Sequence, residues 1–435
     1  MRPQPIGNGL LMARASGKVA AVIAALQLQG PNFDNLISLD DAGWQEALTV
    51  CDRLQVTLYL ALRSCEGFPV WVRERLTSNL ADAARRFVRV KATYCEAAAA
   101  LDEAGIPHLV LKGFTQSPDF VKAPQFRMQG DIDFYTSQEH TRAAVDALGA
   151  IGYEPAGTPE DYLNADHPPT LTRFGGWKWR GDLFDPEMPL ALEVHKCLWN
   201  SDVWLISLPE VEEFWKRRID RRLDTLTFCS LDPVDHLSYF AMHLLRDAFL
   251  CGRVIHHAQE LASFLHQRVD DAAFWREWEA RYSQRLKQMQ AIAFALASAG
   301  FSSRVPEMVE EHIELLPREQ RAWIETCGGS IFAETFRRSR DGRLLQFLLS
   351  DSTGAQRRIL WKALAPGVIP SPTRLANQPK VPGAPQILRR RQPWRYPAYL
   401  ASRILLNGAA VLRFVANGLT ILLSNLGGRR EARSQ

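Results

Sequence analysis

Apolar residues recur three and four apart from Ala42 to Leu62 and again from Val70 to Ala104, the spacing of a buried helix face. Asp40 or Asp41 is placed to cap the first of these stretches ahead of Trp44, since a carboxylate there accepts the unpaired N–H groups of the first turn. Glu-Ala-Gly-Ile-Pro ends the second stretch. Gly105 suits the left-handed position that closes a helix, and Pro107 prevents its continuation. Beyond this point the period shortens. His108–Lys112, Asp131–Thr136, Ile151–Glu154, Trp177–Arg180 and Leu190–His195 have strand length, and Gly181–Pro186 reads as a turn. A helix is expected over 139–148, capped by Ser137. Helical spacing resumes at Asp232-Pro-Val-Asp235, with proline at the first helical position, and runs to about Gln320. The pattern predicts an α+β fold, with a strand-rich segment set between helical regions. The expected divisions are a helical region over 1–104, a core over 105–205, a helical domain over 206–350, a linker over 351–384 and a basic tail over 385–435.

Composition narrows the function classes. The 435 residues are 46% hydrophobic and 23% charged, as in ordinary globular proteins. Seven scattered cysteines include no Cys-x-x-Cys pair, which argues against a zinc knuckle or a disulfide framework and for a reducing compartment. The N-terminus lacks a signal-peptide pattern, so a cytoplasmic location is expected. The net charge of +4 is uneven: from Pro385 onward there are nine arginines and one acidic residue, Glu431, which leaves the rest of the chain near −4. A mildly acidic body does not suit a nucleic-acid groove.

The candidate chemistry centres on Asp131-Ile-Asp133. On a strand the two carboxylates share one face while Ile132 and Phe134 share the other. Adjacent carboxylates repel unless a cation lies between them, and Mg²⁺ takes such oxygen ligands beside substrate phosphates. Alone, the triplet fits a solvated edge strand at least as well. Glu193 and His195 share a face by the same period. If their strand lies beside the aspartate strand, Glu193 becomes a third carboxylate, and three carboxylates suit a two-metal mechanism, one ion activating an acceptor hydroxyl and the other holding the triphosphate and leaving group. Glu193 would then bind metal and help orient or deprotonate an acceptor hydroxyl. Lys112 and Arg127 would offset polyphosphate charge, and Gly113 would let backbone N–H groups approach a phosphate. The competing structural roles are a surface lysine for Lys112 and an aspartate partner for Arg127. His195 is expected to hydrogen-bond beside the carboxylates rather than ligate metal.

The series Gly105-Ile-Pro-His-Leu-Val-Leu-Lys-Gly113, Arg127, Asp131-Ile-Asp133 and Leu192-Glu-Val-His195 resembles the uncharacterised nucleotidyltransferase family of the polymerase-β-like superfamily. The resemblance covers roughly 35–305, including Trp44 and Leu231-Asp-Pro-Val-Asp-His-Leu237. It implies a small mixed sheet as a nucleotidyltransferase core, with Asp131, Asp133 and Glu193 as ligands of Mg²⁺ or Mn²⁺. It also implies transfer of a nucleoside monophosphate from an NTP, with ATP the expected nucleotide, to a hydroxyl of a small molecule, glycan precursor or protein. Two departures stand out. Lys112-Gly113-Phe114 replaces the superfamily's Gly-Ser, with a long spacer to Asp131, and Lys196 stands where an aromatic residue is common. The rival reading is a catalytically idle nucleotide-binding or antitoxin-like protein with the same fold.

Three further features have a structural and a functional reading. His236 and His243, with His256 and His257, suggest metal, but helix packing is the stronger expectation. Phe174, Trp177 and Trp179 would stack a base or, as favoured here, fill sheet core. Ala398–Leu426 reads as an amphipathic helix flanked by Arg389–Arg391 and Arg429–Arg430. Such a helix either lies on the inner face of an anionic membrane or docks on protein; Arg413 and the asparagines argue against a membrane-spanning role.

Overall fold

The computed structural model describes residues 17–157, 166–173, 175–250, 254–333, 339–364 and 407–421. The fold is α+β, and the chain forms two compact units. Among the described residues, one holds those within 69–239; the other holds those within 17–68, 240–364 and 407–421.

The first unit contains a five-stranded mixed sheet. Its strands are β1 (Leu109–Leu111), β2 (Asp131–Tyr135), β3 (Glu154–Pro155), β4 (Leu171–Thr172) and β5 (Ala191–His195), in the order β1-β2-β5-β4-β3. β2 and β5 run parallel, with Asp133 opposite Glu193 and Tyr135 opposite His195. The other pairings are antiparallel. Alternation splits β2: Ile132 and Phe134 enter a core with Val110, Leu192 and Val194, and with Tyr94, Ala97 and Leu101 from the long helix Val70–Glu103. This helix ends as its sequence dictates. Gly105 takes φ +67°, its N–H donates to the Asp102 carbonyl, and the Ile106 N–H donates to that of Leu101, the paired closure of a Schellman motif. Helix Thr141–Ala150 adds Ala144 and Leu148 to the same core.

Several segments differ from the sequence reading. Trp177–Arg180 is not a strand; Trp177 and Trp179 are half-buried outside the sheet core, and the Trp177 indole donates to Asp185 at 3.0 Å. Two glycines at positive φ, Gly175 and Gly176, precede them and break the extended run. Phe174 lies outside the described residues. The sheet instead takes Leu171–Thr172, too short to show a period. Within the region expected to be helical, β6 (Ile219–Leu223) and β7 (Leu226–Ser230) form a hairpin. Its turn uses Asp224 at φ +53° rather than the usual glycine, which hides the signal. Thr353–Leu364, inside the segment assigned to a linker, is a helix that buries Ile359 and Ala363 one turn apart.

The second unit is helical among its described residues. Asp40 caps helix Asp41–Leu54 by accepting from the Gly43 N–H at 2.8 Å. Trp278, Phe294 and Trp323 are fully buried. Of the tail, 407–421 is helical; it buries Ala410, Phe414 and Ile421, and the Asn417 amide donates to Asp341 at 2.9 Å. Leu412, Val415 and Leu419 are exposed. The remainder of 385–435 lies outside the described residues. Helix Pro233–Leu250, whose first two turns belong to the first unit, begins where the Asp-Pro signal predicts, with the Asp232 carboxylate accepting from the Val234 N–H at 3.0 Å.

Candidate active site

The sheet register assembles the predicted carboxylates. Asp131 and Asp133 lie two apart on β2, and Glu193 is the direct partner of Asp133 on β5. His195 Nε2 lies 2.7 Å from Asp133 Oδ1 and 3.6 Å from Glu193 Oε2. Lys112 Nζ, one residue beyond β1, reaches the same Asp133 oxygen at 2.6 Å. Asp133, Glu193 and His195 each place a donor atom within 4.8 Å of the others, close enough to hold one metal ion. Asp131 stands outside that set. Arg127 is half-buried and electrostatically coupled to Asp131.

The charges follow from this crowding. Burial, then the neighbouring Asp133 and Glu193, push the Asp131 carboxyl up to about 6, against the pull of Lys112 and Arg127. Burial would raise the Asp133 carboxyl too, but the Lys112 ammonium and the His195 hydrogen bond outweigh it and hold it well below the usual range. The Glu193 carboxyl is also lowered: burial works against ionisation, and the nearby His195 ring, with Lys112 and His167, prevails. Burial opposes the charged form of His195, yet its hydrogen bond to Asp133 and the nearby Glu193 carboxylate raise its pKa. Asp133 thus has the Lys112 ammonium and the His195 hydrogen bond to itself, while at Asp131 burial and carboxylate repulsion outweigh the pull of the cations. The Asp133 and Glu193 carboxylates, with the repelled Asp131 carboxyl on the same face, fit a hard divalent cation, because added positive charge relieves that repulsion.

The backbone at β1's end is constrained. Lys112 has φ +50° and ψ −156°, a region that costs a non-glycine residue about 1–3 kcal/mol. Its carbonyl accepts from the Thr115 hydroxyl at 2.7 Å. Gly113 follows at φ +54°, and a Cβ there would lie 2.3 Å from the Gln129 amide nitrogen. Gln129 therefore fills the space beside Gly113 and donates to the Asp131 carbonyl at 2.8 Å. What the glycine admits in this structure is a glutamine side chain.

Sequence reasoning missed three supporting residues. Arg86, buried on the long helix, donates through Nε to the Gln129 carbonyl at 2.8 Å and through Nη1 to the Met188 carbonyl at 2.7 Å. It thereby ties together the approaches to β2 and β5. A charged residue within the buried stripe of Asn79, Ala83, Phe87 and Val90 was the available signal. Thr170 donates to Glu193 at 3.1 Å, and His167 Nε2 lies 3.5 Å from its other oxygen. Nothing in local spacing marks these two, because β4 brings them in by pairing with β5.

The paired parallel strands thus bring Asp133 beside Glu193, with Lys112 on Asp133. The chain belongs to the uncharacterised nucleotidyltransferase family, whose model matches residues 40–301. No curated protein and no solved structure matches it.

Proposed function

We propose that the protein transfers a nucleoside monophosphate from an NTP, with ATP the expected donor, to a hydroxyl of a small molecule, glycan precursor or protein. The observation that carries this reading is the parallel β2–β5 register, which sets Glu193 beside Asp133 on the face that bears Asp131. Asp131, Asp133 and Glu193 would hold Mg²⁺ or Mn²⁺. Such an ion, when bound, supplies Lewis-acid neutralisation of the triphosphate.

The protein's own groups do the rest. The acceptor oxygen forms a bond to the α-phosphorus as the bond to the bridging oxygen breaks and pyrophosphate leaves. Glu193 takes the hydroxyl proton, while Thr170 and His167 hold its carboxylate in place. His195 orients Asp133 through its 2.7 Å hydrogen bond. The cations of Lys112 and Arg127 would offset the departing pyrophosphate; Lys112 on Asp133 and the pull of Arg127 on Asp131 support this role.

A catalytically idle nucleotide-binding protein is the second reading. It is favoured by the ammonium of Lys112 seated on Asp133 and by Gln129 filling the place beside Gly113. An α-labelled NTP screen with Mg²⁺ or Mn²⁺, beside an Asp131→Ala plus Asp133→Ala control, tests both. Label transfer that falls by about 10³-fold or more in the control supports the enzyme. NTP binding without transfer supports the idle protein, and no NTP binding overturns both.

The tail reading is narrower. The docked face of 407–421 leaves Leu412, Val415 and Leu419 exposed in an arginine-rich segment, which supports peripheral contact with an anionic bilayer. Equal co-sedimentation with anionic liposomes, with and without 385–435, would overturn that contact.

A further inference from the structure

The helical unit holds a second cluster of metal-ligating side chains, which shares no residue with the β2–β5 face and draws two of the histidines expected to pack between helices. His243 and Asp247 lie one turn apart on helix Pro233–Leu250, and His257 is near the start of helix Ile255–Gln267. His257 Nδ1 is 2.8 Å from Asp247 Oδ2, and His243 Nε2 is 3.8 Å from the same oxygen. The two imidazoles meet edge to face, with ring centroids 4.5 Å apart. Both histidines are buried, whereas the Asp247 side chain remains 19% exposed and opens the cluster to solvent.

We propose that His243, Asp247 and His257 bind one divalent transition-metal ion of the zinc class. Three donor atoms within 4.8 Å of one another are already gathered. Two imidazole nitrogens and one carboxylate suit zinc, cobalt or nickel, whereas magnesium favours an all-oxygen shell. Three protein ligands leave one tetrahedral position for water or a further ligand. The cost of the cluster points the same way. A helix contact built of apolar side chains avoids the desolvation of two imidazoles and a carboxylate, and a bound cation would recover that cost.

Arg246 sets the condition for binding. Its Nη2 donates to His243 Nδ1 at 2.6 Å. Because a guanidinium cannot accept, this bond places the ring proton of the neutral imidazole on Nε2, the atom that faces Asp247. Ligation through Nε2 therefore moves that proton to Nδ1, which then no longer accepts from Arg246, so the arginine and the metal compete.

The test uses full-length protein carrying Asp131→Ala and Asp133→Ala, stripped with chelator and titrated with Co²⁺. The expected result is a visible ligand-field spectrum on binding. His257→Gln and Asp247→Asn should each weaken binding by about 100-fold or more, beyond what loss of an outer hydrogen-bond partner costs. Arg246→Gln should strengthen it by about tenfold, one competing charged hydrogen bond being removed. Absence of a Co²⁺ spectrum in the parent, or unchanged affinity in folded His257→Gln and Asp247→Asn, overturns the site. If those variants do not fold, the Co²⁺-loaded parent decides. Two paramagnetically shifted imidazole N–H resonances support the assignment, and fewer than two overturn it.

Discussion

The β2–β5 face and the His243–Asp247–His257 cluster solve one problem by different geometry. Each gathers three side chains that water would otherwise keep apart. On the sheet, two parallel strands deliver them: period 2 sets Asp131 and Asp133 on one face, and the register adds Glu193. In the helical unit, one turn supplies His243 and Asp247, and the next helix supplies His257. The first set is all carboxylate and draws its compensation from Lys112 and His195. The second is mostly imidazole, with Arg246 beside it. The difference teaches that backbone register fixes the first arrangement, whereas side-chain rotation can remake the second.

Substitutions that disturb register should separate the two. Arg86→Met leaves the Gln129 and Met188 carbonyls without their buried partner. The expected loss is about 3 kcal/mol of stability to denaturant, the sum of such unmet groups, with weaker Mn²⁺ binding. Co²⁺ binding at the histidines should be unchanged; a parallel loss there would break the comparison.

A smaller effect is expected at Gly113. Gly113→Ala places a methyl group against Gln129 at φ +54° and should cost about 2 kcal/mol. Gln129→Ser in the same chain should recover roughly half, because it removes the clash and leaves the backbone strain. Purely additive losses in that double-mutant cycle would show that Gln129 is not what the glycine accommodates.

The smallest effect is a pH dependence. The Asp131 carboxyl is raised from 3.8 to about 6 in the folded protein. Folding therefore favours its protonated form, and its contribution to stability declines as pH rises from about 4 to about 6. Asp131→Asn should be equal to the parent near the lower end and progressively more stable above it, reaching a plateau past about 6. Asp133 has the opposite sign: its lowered pKa contributes stability at neutral pH that is lost on acidification. An Asp131→Asn difference that is flat with pH would mean that burial and carboxylate repulsion do not outweigh the cations at Asp131.

Much of this architecture is legible in the chain. Asp40, Gly105 and the Asp232-Pro signal announce helix ends through local hydrogen bonding, and those ends lie where expected. The strand of Asp131 and that of Glu193 are legible through alternation, although their pairing is not. Thr170 and His167 escape because β4 is two residues long and reaches Glu193 only through the sheet. The β6–β7 hairpin escapes because Asp224 takes the glycine's place in its turn. Trp177 and Trp179 mislead because aromatic alternation also occurs in a loop, where Asp185 satisfies the Trp177 indole.

The long helix Val70–Glu103 acts as a ruler for the chemistry. Its 34 residues extend about 51 Å. Arg86 and Tyr94 are eight residues apart, roughly two turns, so one side of the rod meets both the strand approaches and the sheet core. Deleting a single residue between them would turn Arg86 by about 100° while Tyr94 stayed seated. Chain length between these two positions is therefore as much a specification of the site as the identity of its aspartates.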